Sequence, residues 1–190
     1  RSKKDTQCDD IKRSLTSEHV SLNYPQESWT HVHTDGSADK AVRNGGAGIH
    51  IRYPNGKEEN ISMTTGKYSS NYKAEAEAIR AGAEHVKHSC HTSKEVVILS
   101  DAKSVLEALQ TGKDKCLNHV FTALASLCHS HTVVLQWIPS HCGIKGNEVA
   151  DTLAKTGSNQ VQDDATTTYQ EAKTAIKASQ HKKWLLQHPK

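Results

Sequence analysis

KEVVILSD, residues 94–101, holds four consecutive apolar side chains, Val96-Val97-Ile98-Leu99, and turns acidic at Asp101. A strand with one wet face alternates apolar and polar residues; a run that is apolar at every position belongs to a strand covered on both faces. Such strands lie inside sheets with helices above and below. The neighbouring segments supply those helices. Upstream, SSNYKAEAEAIRAGAEHVKHS (69–89) repeats Tyr72, Ala76, Ile79, Ala83 and Val86 at spacings of four and three, an amphipathic helix with one core stripe. Ser69, Ser70 or Asn71 is placed to cap it. Downstream, Ser104–Leu109 reads as a short helix closed by Gly112, and Leu117–Cys128 as another, with Val120, Leu124 and Leu127 on one face.

Further out lie more strands. The run from Trp29 alternates through Val32 and Thr34 and reads as a strand ending on Asp35, before the turn at Gly36. Gly45, Gly46 and Gly48 lead into Ile49–Tyr53, and Pro54-Asn55-Gly56 turns the chain into Glu58–Thr65, a hairpin signal. Towards the C-terminus, His131–Pro139 reads as a strand. The loop SHCGIKGN then enters a helix over Asn147–Lys155 with Ala150, Leu153 and Ala154 on its core side. The order is three antiparallel strands, helix, strand, helices, strand, helix: an α/β protein with a mixed sheet covered on both faces.

The remaining segments are polar. Residues 1–28 read as an N-terminal extension or linker, with a short helix over Asp9–Val20 and Pro25 beyond it. Residues 158–190 read as a linker and a basic helix, Tyr169–Gln187, with Ile176, Trp184 and Leu185 apolar and Lys173, Lys177, Lys182 and Lys183 on its basic face. Mean hydropathy is -0.69 and no apolar run reaches the length of a membrane span, so no membrane contact is expected. The opening residues lack the apolar core of a signal peptide. Five cysteines without paired spacing fit free thiols in a reducing compartment, cytoplasm or nucleus. Net charge of +3 permits nucleic-acid binding without demanding it.

Four acids stand at the ends of these elements: Asp35, Glu75, Asp101 and Asp151. Each has an ordinary explanation when taken singly. Asp35 suits an Asx turn, Glu75 the positive end of a helix, Asp101 a helix cap, and Asp151 an i, i+4 pair with Lys155. Brought together, four carboxylates repel unless a cation lies between them, and divalent metals are the usual answer.

The motif set TDGS (34–37), NYKAEAEAI (71–79), LSDAKSV (99–105) and WIPSHCGIKGNEVADTLAK (137–155) resembles the type 1 ribonuclease H family. Its last segment most resembles the ribonuclease H domains of non-LTR retrotransposons. The resemblance covers residues 29–157. It implies a ribonuclease H-like fold, with a five-stranded mixed sheet in order 3-2-1-4-5. The implied activity is hydrolysis of the RNA strand of an RNA–DNA hybrid, leaving 5′-phosphate and 3′-hydroxyl ends. Two Mg²⁺ ions are implied, about 3.5–4 Å apart, with Mn²⁺ as a substitute.

Carried over by motif, the catalytic and metal-binding acids are Asp35, Glu75, Asp101 and Asp151, with Glu77 the nearest rival to Glu75. By the same resemblance Asp35 would bridge both ions, Asp101 and Asp151 would serve the attacking water, Glu75 would hold the second ion, and His141 would be the loop histidine that assists proton transfer or product release. Ser70 and Asn71 match positions that contact the nucleic-acid backbone in the family, and Asn147 and Glu148 lie where family members touch the substrate near the cut. The reverse transcriptase portion of a parent polyprotein is the implied partner. The chain departs from some cellular members in having no basic, Trp-rich protrusion after Asp101, and from bacterial members in the turn ADKAVRNG (38–45). The alternatives are a non-catalytic nucleic-acid-binding or connector module of the same fold, and another nuclease or integrase of the superfamily.

Overall fold

The computed structural model describes residues 3–39, 42–164 and 167–187, and their side chains apart from 3–7, 170, 178 and 181–187. Lys182, Lys183, Trp184 and Leu185 of the expected basic helix therefore lie outside the described side chains. Five strands, β1 (Trp29–Asp39), β2 (Arg43–Arg52), β3 (Glu58–Gly66), β4 (Glu95–Ser100) and β5 (Thr132–Trp137), form one sheet in the order β3-β2-β1-β4-β5. β1 pairs antiparallel with β2 and parallel with β4, and β5 is parallel to β4. The expected mixed sheet and its order are both observed.

Val96, Val97, Ile98 and Leu99 are all fully buried, as a strand covered on both faces requires. Alternation sends Val96 and Ile98 to one face and Val97 and Leu99 to the other. The first face packs against α2 (Asn71–His88), α3 (Lys103–Thr111) and α4 (Asn118–Cys128) through Ala76, Ile79, Ala83, Val86, Val105, Val120 and Leu127. The second packs against Val20 and Tyr24 of α1 (Lys3–Asn23) and its following turn, and against Ile144 at the entry to α5 (Lys145–Ser158). Full burial of such aliphatic side chains is worth about 1.5–3 kcal/mol each.

Two departures from the sequence reading have physical causes. α1 is 21 residues long rather than the short Asp9–Val20, and its C-terminal end is docked, with Tyr24 donating its hydroxyl to Gln136 of β5 at 3.0 Å. Tertiary packing supplies the stability that its weak periodicity does not advertise. β1 continues past Asp35 to Asp39, because its antiparallel partner runs alongside: Asp35 faces Gly48 and Ser37 faces Gly46. The parallel ladder to β4, in contrast, stops at Thr34. Three histidines, His31, His33 and His50, are buried on adjacent positions of β1 and β2. The His33 imidazole is pushed down to about 3, chiefly by burial, so it stays neutral.

Candidate functional site

The parallel pair β1 and β4 ends at Thr34 and Ser100, and the next residues of each, Asp35 and Asp101, emerge side by side at the carboxyl edge of the sheet. Sites in open α/β sheets form at that edge. Glu75 arrives from the second turn of α2, whose N-cap Ser70 accepts from the Lys73 amide at 3.2 Å. Its approach depends on Gly36, where an added Cβ would lie 2.3 Å from the Glu75 amide nitrogen. On the opposite face Gly48 plays the same part for α5, since a Cβ there would lie 2.0 Å from the Ala150 carbonyl oxygen. Two missing side chains thus let two helices press onto β1 and β2 from opposite sides and carry their acids towards Asp35.

One oxygen from each of Asp35, Glu75 and Asp101 lies within 4.8 Å of the others. Asp35 is 5% exposed, and Glu75 Oε2 is buried without a hydrogen-bond partner. Burial first, then Asp101 and Asp151, pushes the Asp35 carboxyl up to about 7. Burial, then Asp35 and Asp101, raises Glu75 well above the carboxylate range, and Asp101 is raised mainly by burial. Without a cation these groups hold protons that free carboxylates release. The donor set is all hard oxygen, the chemistry Mg²⁺ and similar cations prefer, and the orphaned Glu75 oxygen is a ligand atom in waiting.

The fourth acid is placed differently. Asp151 is close enough to raise Asp35 and Asp101, but its Oδ2 accepts from Lys155 Nζ at 2.5 Å, the i, i+4 pair anticipated from spacing. Glu77, the rival to Glu75, points elsewhere: it binds Arg80 at 2.8 Å and His119 at 2.8 Å. His141 is exposed on the loop before α5, near enough to lower Asp101, with a left-handed φ of 50°. That backbone costs a non-glycine residue about 1–3 kcal/mol, so the surrounding loop must hold it.

The four expected nucleic-acid contacts separate. Asn71 is exposed and lines the cleft beside Glu75 and Asp101, together with Lys103. Glu148 is exposed and accepts from the Gly143 amide at 3.3 Å. Asn147 is only 3% exposed, and its Nδ2 donates to Asp101 Oδ2 at 3.3 Å, so it faces the carboxylates. Ser70 has both donors engaged: its amide and hydroxyl donate to Glu171 Oε1 at 2.9 and 3.0 Å.

Glu171 belongs to α6 (Tyr169–Gln187), and its other oxygen accepts from the amide and hydroxyl of Thr168. These bonds hold its carboxyl below the ordinary value although burial opposes them. Sequence reasoning passed over Glu171, although Thr168-x-x-Glu171 is a readable capping box. That the same carboxylate also serves the start of α2 has no sequence signal, because the partners are 101 residues apart.

A family model described as RNase H matches residues 27–159 of the chain. Ribonuclease HI of Synechocystis sp. (strain ATCC 27184 / PCC 6803 / Kazusa) is 27% identical over 138 residues, covering 65% of this chain and 83% of the relative. Two solved structures share the fold. The N-terminal RNase H domain of Rv2228c from Mycobacterium tuberculosis, fused to maltose-binding protein, superposes with a TM-score of 0.56 at 19% identity, covering 78% of this chain and 99% of that one. RNase H1 from the halophilic archaeon Halobacterium salinarum NRC-1 gives 0.55 at 18% identity, covering 68% and 97%.

Proposed function

The chain belongs to the ribonuclease H family, and we propose that it is an endonuclease that hydrolyses the RNA strand of RNA–DNA hybrids, leaving 5′-phosphate and 3′-hydroxyl ends. The observation that carries this reading is the trio of buried Asp35 and half-buried Glu75 and Asp101, whose oxygens converge within 4.8 Å. Acids this close and withdrawn from water are costly to ionise, and bound divalent cations would relieve that cost.

In this reading Asp35, Glu75, Asp101 and Asp151 hold two Mg²⁺ ions, with Mn²⁺ as a substitute. Bound there, the ions supply Lewis acidity and a nucleophilic water at neutral pH. The chain's own residues do the rest. Asn147, donating to Asp101, fixes the carboxylate's orientation. Lys155 balances Asp151 until that acid is needed as a ligand. His141 moves a proton at the departing oxygen or assists product release, a role suited to an imidazole. Asn71 and Lys103, at the cleft, take backbone phosphates. Ser70 joins them only when Glu171 lets go of it, and Glu148 meets substrate beside the cut. Grip through phosphates makes affinity fall with salt, and recognition rests on the 2′-hydroxyl and groove shape.

We further read residues 29–157 as the catalytic unit, with 1–28 and 158–190 appended to it, and take the WIPSHCGIKGNEVADTLAK segment as support for a non-LTR retrotransposon polyprotein whose reverse transcriptase is the partner. An intracellular, reducing setting fits the five free cysteines. Among the described residues no helix is long and apolar enough to cross a membrane.

The test is Mg²⁺-dependent cleavage of a labelled RNA–DNA hybrid, with double-stranded DNA as a second substrate and Asp101→Asn as control. Cleavage of the hybrid alone, lost in Asp101→Asn while the melting curve stays cooperative, is the expected result. A wild-type protein that binds hybrid without cutting it would make the chain a connector, and equal cutting of DNA would make it a different nuclease.

A further inference from the structure

α1 lies outside the matched stretch of 27–159, yet one of its side chains reaches the loop that carries His141. A Cβ built on Gly143 would come within 3.0 Å of Arg13 Nη1 and 3.3 Å of Arg13 Cδ, so the arginine lies flat against the α-carbon two residues past His141. Arg13 is braced by Asp10, whose Oδ1 accepts from Nη2 at 2.8 Å. Asp10 and Arg13 form one wall of a cleft whose other wall is His141, Glu148, Asp151 and Lys155.

The loop needs such a wall. His141 and Gly143 both have left-handed backbones, with φ of 50° and 86°. From within its own segment the loop is held by three contacts: buried Cys142 donates its thiol to Pro139 O at 3.4 Å, the Gly143 amide donates to Glu148 at 3.3 Å, and the Glu148 amide donates to Ile144 O at 3.0 Å. The bond from the Gly143 amide is long and ends on an exposed carboxylate. The three atoms nearest to a Cβ on Gly143 all belong to Arg13, so it is α1 that covers this part of the loop.

We propose that Arg13 is a positioning residue: packed over Gly143 and tied to Asp10, it closes the open side of the Pro139–Ile144 loop and keeps His141 aimed at the Asp101–Asp151 end of the site. The proposal rests on the reading of this site as a hybrid nuclease. α1 thereby becomes part of the working site although it contributes none of the reacting groups.

Four variants of the 190-residue chain test it against the wild type: Arg13→Ala, Arg13→Lys, His141→Ala and the double variant Arg13→Ala/His141→Ala. In the wild-type background Arg13→Ala lowers kcat roughly three- to tenfold with KM within about twofold, the pattern of a lost positioning contact. Arg13→Lys, which keeps an aliphatic stem against Gly143, retains more of the rate. In the His141→Ala background Arg13→Ala changes kcat by less than about twofold, because residues acting through one another are not additive. Hydrogen exchange supplies a readout independent of cleavage: the Gly143 amide loses protection in Arg13→Ala while the amides of β4 do not.

An equal loss of kcat in both backgrounds, or an unchanged kcat with raised KM, would overturn the proposal, the latter by making Arg13 a phosphate contact. Unchanged protection at Gly143 would also overturn it. Absence of cleavage by the wild-type protein would instead refute the nuclease reading and leave the exchange experiment to decide the contact.

Discussion

Asp35→Asn should remove the activity and at the same time stabilise the metal-free protein. Asp35 has an ordinary value of 3.8 and is pushed up to about 7 in the fold. A carboxyl raised on folding keeps a proton that the unfolded chain has released, so the unfolded state binds fewer protons and stability falls as pH rises. The fall begins near 3.8 and levels off above about 7. Each unit is worth about 1.4 kcal/mol, so the shift amounts to roughly 4 kcal/mol at neutral pH and beyond. Between pH 5 and pH 8 the share still to be lost is about 2.5 kcal/mol. For a chain of this size that is roughly 5–10 °C in Tm.

His33 acts in the opposite sense over part of this window. Held down at about 3, it makes the protein gain stability as pH rises towards the unfolded histidine value of 6.5. The measurement is therefore the difference in Tm between Asp35→Asn and wild type, in which the His33 contribution cancels. Thermal melts followed by circular dichroism, in EDTA from pH 5 to pH 8, should show that difference growing with pH. Added Mg²⁺ at roughly 10 mM should then raise the wild-type Tm more at pH 8 than at pH 5, since a cation substitutes for the protons. Parallel pH profiles for the two proteins, or a wild-type Tm indifferent to Mg²⁺ at pH 8, would refute the argument that burial and mutual repulsion govern these acids.

Three further outcomes follow from the same geometry. Glu77→Gln, which disturbs the pairs with Arg80 and His119, should leave hybrid cleavage within about twofold and cost no more than about 1 kcal/mol, while Glu75→Gln abolishes cleavage; the paired kinetic and melting data distinguish the two glutamates. Gly36→Ala should lose at least about 2 kcal/mol by denaturant titration together with most of its activity, because the new methyl meets the α2 backbone at Glu75 and no rotamer change relieves it. Glu171→Ala strips the acceptor from Ser70 and Thr168 and should lower stability by about 1–3 kcal/mol, while freeing the Ser70 donors so that hybrid KM falls; an unchanged KM would show that the Ser70 donors do not reach substrate.

Much of this protein was legible without coordinates. The unbroken run Val96–Leu99, the alternation before Asp35, the Pro54-Asn55-Gly56 turn and the four-and-three spacing from Tyr72 to Val86 are local patterns with the periods of strand and helix, and they determined the elements and their order. The motifs around Asp35, Glu75, Asp101 and Asp151 named the acids. What remained open was how those acids meet.

Only the tertiary structure decided that Asp35, Glu75 and Asp101 converge, that Asn147 is buried against Asp101, that Glu171 holds Ser70, and that Arg13 backs the His141 loop. The reason is physical. A periodic pattern records which face of an element is buried, whereas an arrangement of side chains from distant segments depends on helix–sheet approach, on glycines such as Gly36 and Gly48 that permit it, and on competition for the same donors. Those terms exist only once the chain has closed on itself.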